Sequence, residues 1–87
     1  MDRETFIRTL TDDGFPDPVV VTRETGVMEE HAHPFEAKAL IMAGEMSISV
    51  GGEERRYQVG DVFHLAANVP HAERYGPEGV QYLVGRK

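Results

Sequence analysis

The chain has 87 residues, 40 % of them hydrophobic, which is enough for one small core and no second domain. It holds no cysteine, which excludes a disulfide scaffold, a Cys-based zinc site, an iron–sulfur cluster and a thiol nucleophile. A net charge of −6 repels phosphate backbones and anionic membrane surfaces, so neither nucleic acid nor membrane is expected as a partner.

The chain opens on a segment of helical character. Asp2 is placed to cap it, and Phe6, Ile7 and Leu10 fall on one side at helical spacing. Asp12, Asp13 and Gly14, followed by Pro16 and Pro18, end it. So short a helix is marginal alone and is expected to cover an open edge or end of a sheet. The acidic start does not read as a signal peptide, and no apolar run approaches the roughly 20 residues of a bilayer span, so a cytoplasmic protein is expected.

From Val19 the pattern turns to period two. Strands are predicted at Val19–Arg23, across His31 and His33, and at Glu36–Ala43, the last ended by Gly44. Met46, Ile48 and Val50 alternate with Ser47 and Ser49, a half-buried strand. Gly51–Gly52 then turns the chain into a hairpin with Glu53–Val59. Gly60–Asp61 turns it again before Val62–Leu65, with Asp61 expected to accept backbone N–H bonds. Asn68 and Pro70 mark a loop, His71–Tyr75 follows, Gly76–Gly79 turns, and Val80–Val84 closes the chain. About seven to nine short strands at spacings of about 8 to 12 residues are the mark of an all-β barrel or sandwich. The division is therefore residues 1–17 as helix and linker and residues 18–87 as barrel.

The strand Ala37–Ala43 is apolar on both faces: Ala37, Ala39, Ile41 and Ala43 on one, Leu40 and Met42 with Lys38 on the other. Either the N-terminal helix or a second subunit must cover the second face, and a homodimer is the preferred expectation.

The four histidines carry the chemistry. His31 and His33 are two apart, which on a strand places both imidazoles on one face, able to hold one metal ion; His-x-His alone more often marks two exposed histidines in a turn. His71 opens a later strand, with Glu73 and Tyr75 on the same face. His64 lies between Phe63 and Leu65 and is expected to point outward or into an interface.

This arrangement resembles the cupin superfamily of β-barrels. The first cupin motif runs from a glycine through His-x-His and a glutamate to a closing glycine, and GVMEEHAHPFEAKALIMAG supplies Gly26, His31, His33 and Gly44. The second motif is similar to GDVFHLAANVPHAERY, where Gly60 and His71 match in register. Ala66, Asn68 and Tyr75 replace the motif's proline, glycine and final asparagine, and Asn tolerates the positive φ open to that glycine.

The resemblance implies a cupin-type jelly roll with a short N-terminal helix, and makes His31, His33 and His71 a metal triad. The family's glutamate falls on Ala37, which cannot ligate. Glu36, one residue early, is the candidate fourth ligand, or else a solvent carboxylate paired with Lys38 or an arginine. Imidazole donors suit Zn, Fe, Ni, Co or Cu, and poorly suit Mg or Ca. Glu73 and Tyr75 are the candidate catalytic groups: Glu73 as a base or as the orienter of a ligand histidine, Tyr75 as a donor to a bound anion. The even alternative for Glu73 is a surface bridge to Arg74 or Arg56. The interior is otherwise apolar and suits a small molecule, apolar or carboxylate-bearing. The resemblance implies a metal-dependent enzyme acting on a small chelating molecule, with dioxygenase-like chemistry first, or a non-catalytic module that binds a ligand or metal.

Overall fold

The computed structural model describes all residues 1–87. One helix, α1 (Arg3–Asp12), precedes six strands: β1 (Val19–Arg23), β2 (Gly26–His31), β3 (Ala37–Val50), β4 (Glu53–Gln58), β5 (Val62–Leu65) and β6 (His71–Arg86). All pairings are antiparallel. The strands form a jelly-roll β fold, as the sequence leads one to expect.

Strands β3 and β6 run side by side and serve both halves of the roll. The early part of β3 and the late part of β6 carry β5 and β1 on their outer edges. The late part of β3 and the early part of β6 carry β4 and β2. Six strands therefore do the work of the seven to nine short ones expected, because neither Gly44 nor Gly76–Gly79 stops its strand. Both strands bend there instead. Gly44 pairs with Val80 across the bend, at φ 70°, and Gly79 has φ 74°. A Cβ on Gly44 would run into the Gly79 carbonyl, and one on Gly79 into the Arg23 carbonyl, so the corner closes only with glycine. The hairpin at Gly51–Gly52 forms as expected, with Val50 opposite Glu53.

Alternation along β3 divides the core in two. Ala37, Ala39, Ile41, Met46 and Ile48 face the interior with Phe63, Tyr75, Val80, Tyr82 and Val84. Leu40 faces the other way and packs with Leu83, Phe15, Phe6 and Leu10. Helix α1 thus covers the second apolar face of β3, the cover for which a second subunit was preferred. The helix is fixed by its Asp2 cap, whose carboxylate accepts the Thr5 N–H at 2.8 Å, and by a Lys38–Asp13 ion pair at 3.0 Å. No helix is long and apolar enough to cross a membrane.

Phe6 is wholly buried between helix and sheet. Phe6→Ala is expected to cost about 3–5 kcal/mol in urea denaturation. A loss below about 1 kcal/mol would mean that the helix does not seal this face.

Candidate metal centre

The site is set by an irregularity in β2. Gly26, Val27 and Met28 pair with Tyr75, Arg74 and Glu73. Continued in that register, residue 30 would face His71, but the register slips between Met28 and His31 and puts His31 there. The extra residue of this bulge turns the histidine, rather than Glu30, toward its partner. His33 lies beyond the end of β2, in the loop before β3. Two contacts hold it. Its ring stacks on Phe35 with centroids 4.7 Å apart and planes 6° from parallel, and its carbonyl accepts the Asn68 N–H at 2.7 Å. Asn68 has φ 64°, the only non-glycine residue in the left-handed region, at the position where the cupin motif has glycine.

The three rings lie against one another, two pairs edge-on and the His31–His71 pair tilted. Centroids of His31 and His71 are 4.3 Å apart, of His31 and His33 4.9 Å, and of His33 and His71 5.0 Å. One nitrogen from each ring lies within 4.8 Å of the others. His71 is buried, His31 and His33 half-buried.

Hydrogen bonds assign two of the tautomers. His31 Nδ1 lies 2.8 Å from the Glu29 carbonyl and His71 Nδ1 lies 3.0 Å from the Val69 carbonyl. Carbonyl oxygens only accept, so each Nδ1 carries the proton and donates it. In the neutral rings each Nε2 is then a bare lone pair. Both Nε2 atoms are buried and make no hydrogen bond. The Glu73 carboxylate lies beside both, with Oε2 3.3 Å from His31 Nε2 and 3.4 Å from His71 Nε2. Two lone pairs and a carboxylate oxygen converging in a buried space repel one another unless a cation lies among them. The donor set thus fits a divalent transition metal, with His31, His33 and His71 as the residues to hold it. Burial, then the charges His71 and His31 would carry, hold His33 below the usual histidine range. That keeps its ring neutral, as a ligand must be.

Of the other candidates, Glu73 lies against His31 and His71, Tyr75 lies behind Glu73, and Glu36 points away. Tyr75 is buried, and its hydroxyl donates to Glu73 Oε1 at 3.1 Å. Burial first, then the neighbouring carboxylate, push the Tyr75 phenol up to about 12. Glu73 bridges to histidine rather than to Arg74 or Arg56. Arg74 lies against Glu54 and Arg56 against Glu45. The Glu36 carboxylate points away, its Oε2 2.5 Å from His64 Nε2 and its Oε1 3.9 Å from Lys87 Nζ. It precedes β3, and its backbone pairs with that of Lys87, which directs the side chain to the outward-facing His64. Lys38, the other partner considered for it, pairs with Asp13.

Sequence reasoning missed Phe35 and Arg86. Tyr82 and Val84 face the interior, and period two carries Arg86 onto that same face at the strand end. Its guanidinium lies 5.5 Å from the Phe35 ring centroid and forms no ion pair or hydrogen bond. The signal was present in the alternation Val80, Tyr82, Val84, Arg86. His33, His71, Glu73 and Arg86 line a small cavity of about 30 Å³ walled by Phe63, Leu65, Tyr82 and Val84.

The Cupin domain family matches residues 19–83. The chain belongs to the cupin family. Among solved structures, this cupin is similar to the DMSP lyase DddQ from Ruegeria pomeroyi DSS-3, at 30 % identity over 78 % of this chain and 36 % of that one, with a TM-score of 0.69. It is similar in fold to KdgF from Halomonas sp., at 21 % identity over 82 % and 69 % of the two chains, TM-score 0.64. It is also similar in fold to a DUF861 family protein from Thermotoga maritima, at 12 % identity over 95 % and 90 %, TM-score 0.70. The cupin spans little more than a third of the lyase's length. No curated protein matches the sequence.

His71→Ala is expected to abolish the rise in melting temperature on adding zinc, while Glu36→Gln leaves that rise intact; the reverse pattern would reassign the ligands. In alkaline titration followed by tyrosinate absorbance, a late step near pH 12 should vanish in Tyr75→Phe. Because the folded-state value is the raised one, Tyr75 also lowers stability as pH rises from about 10 toward that value.

Proposed function

We propose that this cupin is a metal-dependent enzyme acting on a small chelating organic molecule. The observation that carries the reading is the pair of buried, unpartnered Nε2 atoms of His31 and His71, joined by His33 around one point. The bound ion, one of Zn, Fe, Ni, Co or Cu, would supply a Lewis acid that polarises a substrate oxygen. The protein supplies the rest. Phe63, Leu65, Tyr82 and Val84 form a dry wall that strengthens electrostatic interactions within the site. Glu73 and Tyr75 form its polar side, the phenol keeping its proton and donating it in a hydrogen bond. Arg86 places a free cation at the mouth, which suits a substrate carrying a carboxylate. Oxygenation is the first reaction class to test. The likeness to the DMSP lyase adds lyase chemistry as the second.

Cavity size favours a second reading. About 30 Å³ admits roughly one water, so a substrate can pass only a small group beyond the histidines. A non-catalytic module that binds metal or a small ligand needs no more room. We place the protein in the cytoplasm, and as a homodimer built on β1, an edge strand that pairs only with β6 and exposes Val19 and Val20. Sedimentation reads that assembly.

Metal analysis of protein purified without an affinity tag tests the shared premise. About one transition-metal ion per chain is expected. Absence of an ion, together with an unchanged melting temperature on adding zinc, nickel or iron, would sink both metal readings. Within the enzyme reading, Arg86→Gln is expected to raise KM for a carboxylate substrate about tenfold or more and to spare that for its neutral amide.

A further inference from the structure

We propose that Glu73 is itself a ligand, the fourth protein donor to the ion, replacing the carboxylate that position 37 lacks. The inference rests on the metal reading above and deepens it. It departs from the sequence-based roles for Glu73, a base or an orienter of histidine, and from Glu36 as the ligand.

Three observations carry it. The first is distance. Metal bonds of about 2.0–2.1 Å to nitrogen and oxygen separate neighbouring donors of a tetrahedron by about 3.3–3.4 Å. Glu73 Oε2 stands 3.3 Å from His31 Nε2 and 3.4 Å from His71 Nε2. These are the spacings of two donor pairs around one ion, and His33 brings a nitrogen within 4.8 Å of those of His31 and His71. They are not hydrogen bonds, since neither nitrogen makes one.

The second is charge. The Glu73 side chain is 9 % exposed, yet no lysine or arginine pairs with it. Its only ion-pair partners are His31 and His71, whose Nδ1 protons are already given to carbonyls. A buried carboxylate without a cation is costly, and the position that compensates it best is the point it shares with the two nitrogens.

The third is the division of its oxygens. Tyr75 donates to Oε1, which leaves Oε2 free and turned to the histidines. A ligating carboxylate fixed through its other oxygen is the usual support of a metal site. Period two along β6 brings His71, Glu73 and Tyr75 to one face. Meanwhile Ala37 is buried in the interior and Glu36 is engaged by His64 and Lys87, so neither competes with Glu73.

The consequence is selective. Three histidines and one carboxylate fill a tetrahedral zinc ion, but leave two positions on a six-coordinate ion for a chelating substrate. The ion then decides between the closed module and the enzyme.

The test is a crystal structure of the zinc-loaded wild-type protein with anomalous scattering at the zinc edge, joined to zinc titrations of Glu73→Gln and Tyr75→Phe. A Glu73 oxygen within about 2.2 Å of the ion is expected. Glu73→Gln should weaken zinc more than 100-fold, and Tyr75→Phe by about tenfold, the scale of a supporting group. An ion held by the three histidines with the Glu73 oxygens beyond about 3 Å would overturn this proposal and leave the metal reading standing. No zinc at the histidines would overturn both. Should Glu73→Gln fail to fold, the wild-type distance decides alone.

Discussion

Everything in the upper half of this barrel turns on one electrostatic demand. Two imidazoles give their protons to backbone carbonyls and aim bare nitrogens at a buried carboxylate oxygen. That contact is unfavourable on its own and favourable only around a cation. A core histidine serving structure alone would have both nitrogens satisfied, because an unpaired buried polar atom costs about 1–3 kcal/mol. Here two such atoms face one point. A domain of this size has little stability to spend on defects, which makes a ligand site the economical explanation.

The fold is organised to hold that point. Strands β3 and β6 supply both layers of the roll and bend at a corner where Gly44 and Gly79 let the backbones touch. The bend lets the early part of β6 bring His71, Glu73 and Tyr75 against β2, and the bulge in β2 brings His31 to meet them. His33 comes from a loop and would move freely without support. The Phe35 ring beneath it and the Asn68 N–H on its carbonyl supply that support. Arg86 completes the row by lying over Phe35, so the stack that steadies His33 also holds a cation beside it.

Much of this is legible in the residues. The helix, the Gly51–Gly52 hairpin and the histidine triad all follow from local patterns, because caps, turns and period two are local. Strand number was overcounted at Gly44 and Gly79, where a glycine reads the same whether a strand ends or bends. The covering of Leu40 by α1 was visible only as one of two options, since the sequence shows that a face is apolar and not what lies on it. Glu36 and Glu73 were the hardest. Counting from Gly44 favoured the carboxylate nearest in sequence, but a loop residue pinned to Lys87 points outward. Period two along β6 put Glu73 beside His71, but its contact with His31 depends on a register slip in β2, which no local pattern reveals.

Zinc binding at the imidazole nitrogens is the most direct test. Nitrogen-15 NMR follows each ring nitrogen of His31 and His71 as zinc is added to the metal-free protein. The Nδ1 atoms are expected to keep their protons, donated to the Glu29 and Val69 carbonyls, while zinc shifts the Nε2 resonances of both rings. Nε2 resonances indifferent to zinc would contradict a shared metal site.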